Sequence, residues 1–151
     1  MTRDDVIRST ALHIRRVGEL LTQQASCLID RAVHHDESKW SEEEWPFFEE
    51  STPKLTNLQY GSDEYKAALK AIEPATKHHY AHNTHHPEYY TDGIEGMTLL
   101  DLIEMLCDWK AASERHTTGN IIKSLEINYT RFDISIQLKQ ILLNTIIKSG
   151  W

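Results

Sequence analysis

The chain has 151 residues, of which 40% are hydrophobic and 26% are charged, and its net charge is −7 at pH 7. This length suffices for one hydrophobic core and is short for two, so we expect a single domain over residues 1–151. The negative charge argues against bulk nucleic-acid binding, which requires clustered Lys and Arg. No apolar run approaches the ~18 residues of a membrane span. The N-terminus also lacks the features of a secretory signal, and we therefore expect a cytoplasmic protein without a membrane partner.

Histidine is the residue type in excess. The chain contains nine histidines, and five of them fall between His78 and His86. The two cysteines, Cys27 and Cys107, lie far apart and form no CxxC pair, which argues against a disulfide framework and against a thiolate zinc site.

Apolar residues recur with helical spacing along most of the chain, and no segment shows the alternation of a β-strand. Three polar signals are typical of helix starts: a capping box of Ser41 and Glu44, a start at Ser62, and Thr98 with Asp101 in the first turn. We therefore predict an all-α fold, a compact helical bundle. The longer predicted helices cover about residues 4–22, 24–36, 62–72, 75–86, 98–115, 120–129 and 133–149.

Several polar residues fall on the apolar faces of these helices. His13 lies within the apolar stripe of the first helix, and His35 and Asp36 project toward the apolar side of the second, whereas His34 points away from it. A buried carboxylate requires a cation, a metal or a hydrogen-bond cluster. The alternatives are that His13 is an ordinary core histidine and that Asp36 leaves the helix end into solvent.

Helical spacing in the histidine-rich segment aligns His79 and His86 on one face, with His82 at its edge. Histidines three or four residues apart on one helix face present two imidazoles to one metal ion. The alternative is a solvated polar helix. In the 98–115 helix, periodicity predicts that both Asp101 and Asp108 are exposed, with Asp101 explained as a capping residue.

Four of these residues, His13, His35, Asp36 and Asp108, resemble the H…HD…D signature of the HD-domain superfamily. That superfamily comprises helical metal-dependent phosphohydrolases and a smaller set of diiron oxygenases. The strings HDESKW, HHYAHNTHHPEYY and EMLCDWKAAS are similar to a family of small HD-like proteins of bacteria and their viruses. The resemblance covers residues 11–115, and the predicted helices in 120–149 lie outside it.

The resemblance implies an HD-type helical fold and metal-ligand roles for His13, His35, Asp36 and Asp108. Additional histidines in the matching region support a second metal in some branches of the superfamily. His79, His85 and His86 occupy that region here; we include His79 and His86 among the predicted ligands, and which of the three bind stays open. Such a mixture of imidazoles and carboxylates suits one or two divalent transition-metal ions, Mn²⁺, Fe²⁺, Co²⁺, Ni²⁺ or Zn²⁺.

The resulting hypothesis is a metal-dependent phosphohydrolase that acts on a small phosphate ester, such as a nucleotide, through a metal-activated water. Lys39 would neutralise phosphate charge, and His79 or His82 would transfer a proton or orient the water. Two alternatives stay open: an HD-type diiron oxygenase, and a metal-stabilised interaction protein without catalytic activity. A homodimer is compatible with each of them.

His34 and His35 are adjacent, and substituting each of them tests which one is the predicted metal ligand. We expect His35→Ala to reduce the metal content of the purified protein, and His34→Ala to leave it nearly unchanged, because only His35 projects toward the apolar side. Elemental analysis measures both variants. Equal losses of metal would mean that the wrong histidine was chosen.

Overall fold

The computed structural model describes residues 1–56, 58, 63–115 and 119–151. Over these residues the secondary structure consists of α-helices and short 3-10 helices, with no strand, which confirms the all-α prediction. The chain divides into two compact units, Met1–His35 and Asp36–Trp151. A single domain over the whole chain stays a prediction. None of the helices in the described ranges is both long enough and apolar enough to cross a membrane.

The first unit is one helix of 32 residues, α1 (Arg3–His34). It begins with a capping box in which Thr2 and Asp5 bond each other's backbone N–H groups. The predicted break between residues 22 and 24 is wrong. The segment contains neither Pro nor Gly, and the Thr22 hydroxyl donates to the carbonyl oxygen of Gly18 at 2.9 Å, within the continuous helix. None of the residues of α1 is buried.

The second unit contains six helices and three 3-10 helices in its described residues. The helices are α2 (Trp45–Thr56), α3 (Asp63–Ala71), α4 (Glu73–His82), α5 (Leu99–Glu114), α6 (Ile121–Arg131) and α7 (Ile136–Ser149), and the 3-10 helices are Glu37–Trp40, Pro87–Tyr89 and Gly93–Gly96. Ser62, the predicted start of the third long helix, lies outside the described residues. The predicted cap of the fifth long helix is confirmed, because Thr98 and Asp101 form a capping box at the start of α5.

The hydrophobic core of the second unit lies between α5, α6 and α7. These three helices and the turn before α7 supply the buried apolar side chains Leu106, Ile121, Leu125, Ile134, Leu142 and Ile146. Asn120 caps α6 by accepting from two backbone N–H groups, and Gly150 ends α7 at a φ of 70°. The two C-terminal helices, which carry no motif, therefore form a core with the helix that carries Asp108.

Asp101 joins α5 to the loop that follows the histidine-rich segment. Its carboxylate accepts hydrogen bonds from the Thr84 hydroxyl at 2.7 Å, the Tyr90 hydroxyl at 2.9 Å and the Thr98 backbone N–H at 2.7 Å. The prediction that Asp101 is exposed is wrong, since only 1% of its surface is accessible. Burial alone would raise the pKa of Asp101, but the hydrogen bonds from Thr98, Thr84 and Tyr90 outweigh it and lower the pKa to about 2.

We expect Asp101→Ala to lower the free energy of unfolding by about 3 kcal/mol, because it leaves several buried donors without their charged acceptor. Exposed Glu95→Ala serves as the control, and urea denaturation measures both. The pKa of Asp101 is lowered in the folded state, so its stabilising contribution is fully present above its ordinary pKa of 3.8 and is lost as the pH falls toward about 2. A difference between wild type and Asp101→Ala that does not change over this range would contradict the assignment.

Candidate metal centre

Four side chains of the second unit place potential ligand atoms around one point. Asp36, His79, His85 and His86 each offer one such atom, and all four atoms lie within 4.8 Å of one another. The Nε2 atoms of His79 and His85 lie 3.1 and 3.4 Å from Oδ1 of Asp36. Ligand atoms that share one ion through bonds of about 2.1 Å are separated by roughly 3 to 3.5 Å, so these distances fit a metal site. We call these four residues the Asp36 cluster.

The backbone brings the three histidines together by ending a helix early. Helix α4 ends at His82, and Asn83 is extended, with φ −123° and ψ 109°. A turn follows, closed by a hydrogen bond from the His86 N–H to the Asn83 carbonyl at 3.2 Å. The prediction of a helix through His86 is therefore wrong. His79 comes from the last turn of α4, whereas His85 and His86 lie beyond its end.

Asp36 occupies a special backbone conformation directly after α1. Its φ is 58°, in the left-handed region that Asp tolerates better than most residues. It caps the 3-10 helix Glu37–Trp40, and its Oδ2 atom pairs with Nζ of Lys39. One carboxylate oxygen thus binds a lysine while the other faces His79 and His85.

Two further carboxylates contact the imidazole rings at Nδ1, the nitrogen that does not face Asp36. The side chain of Glu44 is completely buried and accepts from Nδ1 of His78 at 2.8 Å and from Nδ1 of His79 at 3.0 Å. Glu104 lies 3.2 Å from Nδ1 of His85. Since a carboxylate can only accept, these contacts place a proton on Nδ1 of His79 and of His85, and they turn Nε2 of each ring toward Oδ1 of Asp36. Carboxylates behind histidine ligands fix the tautomer and the ring orientation in this way.

The predicted capping box of Ser41 and Glu44 is wrong, because the Glu44 side chain has other partners. The Glu44 carboxylate bonds two histidines rather than the backbone at Ser41. Helix α2 begins at Trp45, the residue after Glu44.

Burial makes His86 a neutral base. Its pKa falls to about 3, chiefly because it is buried and secondly because His85 and His79 are close. Its Nε2 atom is buried without a hydrogen-bond partner among the residues that the structure describes. The pKa of His85 is raised instead, because hydrogen bonds to Asp36 and Glu104 outweigh the effect of burial. A divalent cation would give the lone pair of His86 the partner it lacks, so the donor set fits a metal ion.

The structure brings three of the predicted metal ligands together in one cluster: Asp36, His79 and His86. Asp108 lies partly buried on α5, and one of its carboxylate oxygens lies within 4.8 Å of one of Asp36. His13 and His35 belong to the first unit, His13 as an exposed residue of α1 and His35 as its C-cap. Binding of the same ion by His13 and His35 stays a prediction.

The residues predicted to be catalytic lie in different surroundings. Lys39 pairs with Asp36. His82 is exposed, its ring stacks on that of His78 at 4.0 Å, and its Nδ1 donates to the His78 carbonyl at 2.7 Å. His82 is therefore turned toward its own helix and does not belong to the Asp36 cluster.

Sequence reasoning named His85 among the histidines of the matching region without choosing it as a ligand, and it missed Glu44 and Glu104. An unbroken helix would have placed His85 on a different row from His79, and only the turn at Asn83 unites them. Pro87, which cannot continue a helix hydrogen-bond ladder, was the signal for irregular backbone in this region. The pattern S-x-x-E around Glu44 fits a helix cap as well as a buried carboxylate, so it contained no signal for the latter.

A model of DUF5662, a family of unknown function, matches residues 2–148. The chain belongs to DUF5662. The match extends beyond the motif-bearing residues 11–115, so it includes the Asp36 cluster, helix α6 and all of α7 except its last residue. No curated protein and no solved structure matches this chain.

We expect Glu44→Gln to weaken metal binding about 10- to 100-fold, because the amide is a weaker acceptor for the Nδ1–H groups of His78 and His79. Exposed Glu43→Ala, the adjacent carboxylate, is the matched control. Calorimetric titration of the metal-free protein with Zn²⁺ gives both affinities, and circular dichroism checks the fold. Affinities of the two variants that agree within twofold would show that Glu44 does not orient the ligands.

Proposed function

We propose that this DUF5662 protein is a metal-dependent phosphohydrolase that acts on a small phosphate ester. The observation that carries the proposal is the convergence of Asp36, His79, His85 and His86, with Glu44 and Glu104 behind two of the rings. Two Nε2 atoms, those of His79 and His85, face the same carboxylate oxygen of Asp36, which is how ligand atoms lie around a shared ion. The H…HD…D resemblance supports the same reaction class.

The donor set favours a particular class of ion. Three imidazoles and one carboxylate suit Mn²⁺, Fe²⁺, Co²⁺, Ni²⁺ or Zn²⁺ better than Mg²⁺ or Ca²⁺, which prefer oxygen ligands. Asp108 adds a second carboxylate near Asp36 and leaves room for one ion or two. When bound, such an ion polarises a phosphoryl oxygen and lowers the pKa of a water molecule toward ~7.

Lys39 is the residue of this chain that is best placed to stabilise phosphate charge. Its side chain is 33% exposed, and its ammonium group is held by Asp36 and lies 5.7 Å from the centre of the Phe48 ring. These contacts hold the ammonium group of Lys39 at the edge of the Asp36 cluster. A phosphoryl oxygen bound there would accept a hydrogen bond from Nζ of Lys39, and this interaction strengthens as negative charge develops.

The histidines divide into two groups under this proposal. Both ring nitrogens of His79 are engaged, Nδ1 with Glu44 and Nε2 toward Asp36, so we assign His79 to metal binding rather than to proton transfer. His82 lies outside the cluster and receives no role in the reaction. The predicted proton-transfer role of these two residues is therefore not part of the proposal.

We expect Asp36→Ala to abolish metal binding and phosphate release together, because it removes the oxygen that His79 and His85 face. Asp36→Asn separates this loss from backbone strain, since Asn also tolerates a positive φ. Exposed Glu37→Ala is the neighbouring control. Lys39→Ala should retain the metal and lower kcat/KM by about 100-fold.

The measurements are elemental analysis and a screen of phosphate esters with each of the five metals. Full metal content in Asp36→Asn and Asp36→Ala would remove Asp36 from the metal site. Two irons per chain with oxygen consumption and no phosphate release would favour the oxygenase instead. A bound metal without activity toward any ester would favour the non-catalytic alternative.

A further inference from the structure

A pocket of about 230 Å³ lies in the second unit beside the Asp36 cluster. His86 and Asp108 line it. His86 belongs to the cluster, and the carboxylate of Asp108 comes within 4.8 Å of that of Asp36, so the pocket adjoins the proposed metal centre. Helices α5 and α6 and the residue after α6 supply the opposite walls, including Trp109, Ala112, Asn128, Arg131 and Phe132.

The side chains of Trp109 and Phe132, whose rings stack on each other, contribute an aromatic wall to the pocket. The rings of Trp109 and Phe132 are nearly parallel, with 5° between their planes and 6.3 Å between their centres. Both side chains pack against the core of α5, α6 and α7, which limits their movement. A flat ring gains more from such a wall than a flexible chain does, because it contacts the aromatic surface without losing rotatable bonds.

The pocket does not offer a free positive charge. Arg131 is the one Lys or Arg among the described residues that line it, and its Nη2 atom pairs with Glu88 at 2.6 Å. The guanidinium group also lies 4.6 Å from the centre of the Phe132 ring. Since Glu88 neutralises Arg131, a second anionic group on the ligand would be unfavourable here.

Neutral hydrogen-bonding groups complete the lining. The side-chain amide of Asn128, partly buried, supplies a donor and an acceptor next to each other, and Ser124 supplies a hydroxyl. A volume of about 230 Å³ is below the usual range for drug-sized ligands, which begins at roughly 300 Å³. The occupant is therefore small.

We propose that this pocket binds the leaving group of the phosphate ester, and that this group carries a small, flat, uncharged ring with a hydrogen-bonding edge. The inference rests on the proposed function and names the substrate class for the same site. Two leaving groups share this chemistry: a nucleoside, which leaves through its sugar hydroxyl and carries a nucleobase, and a simple phenol, which leaves through its own oxygen. Because Glu88 and Asp108 outnumber Arg131 among the charged residues that line the pocket, a second anionic group is disfavoured and the substrate is a monoester rather than a polyphosphate.

The test measures ring binding without any catalysis. Uridine, adenosine and phenol are titrated separately into the metal-free full chain, with glycerol as the ring-free control, and NMR follows the indole N–H signals. Ala112→Phe fills the pocket from an exposed position of α5, and Ala111→Phe places the same bulk on the adjacent exposed residue, which does not line the pocket.

We expect at least one ring compound to bind and glycerol not to bind. Ala112→Phe should weaken ring binding about tenfold or more, and Ala111→Phe should change it less than twofold. Asn128→Ala should weaken the binding of nucleosides about tenfold and the binding of phenol less, because a phenol has a single polar group. This difference in affinity distinguishes a nucleoside leaving group from a phenol leaving group.

Absence of ring binding by all three compounds, or equal effects of Ala112→Phe and Ala111→Phe, would overturn the inference. These results do not depend on metal chemistry. Ring binding without phosphate release from any ester would contradict the proposed function and leave the pocket assignment standing. Phosphate release that Ala112→Phe does not affect would contradict the pocket assignment alone.

Discussion

The completely buried carboxylate of Glu44 is the contact on which the arrangement of the site depends. A buried charge is costly unless hydrogen bonds compensate it, and here two imidazole N–H groups, those of His78 and His79, do so. These bonds join the start of α2 to α4. They also decide which nitrogen of His79 faces Asp36, so the same interaction organises the fold locally and prepares a ligand.

In the second unit, the hydrophobic core and the candidate metal site are built from different segments. Its apolar core lies between α5, α6 and α7, whereas the Asp36 cluster is assembled from a left-handed residue, the end of α4 and the turn after it. Asp101 links the two regions, because it accepts hydrogen bonds from Thr84 and Tyr90 while it caps α5. Thr84 directly precedes His85, so its hydrogen bond to Asp101 restrains the backbone that carries His85 and His86.

The candidate site combines a cluster of metal-ligand side chains with an adjacent pocket that has an aromatic wall. Imidazoles and carboxylates lie on one side, and Trp109 and Phe132 lie on the other, with His86 and Asp108 common to both. This division matches the two parts of a phosphate ester, whose charged phosphoryl group and organic leaving group need different surroundings. It is also the reason why the two proposals can be tested separately.

The sequence by itself determined the all-α fold and several helix starts, because apolar periodicity and capping residues act over a few neighbouring positions. It also pointed to Asp36, His79 and His86, and it left His85 as an open candidate. Only the tertiary structure decided that His85 joins them, that Glu44 and Glu104 hold the rings, and that Asp101 is buried. These facts depend on where α4 stops and on contacts between different segments of the chain, as between Glu44 and His79, which lie 35 positions apart. Local periodicity assumes an unbroken helix and contains no information about such contacts.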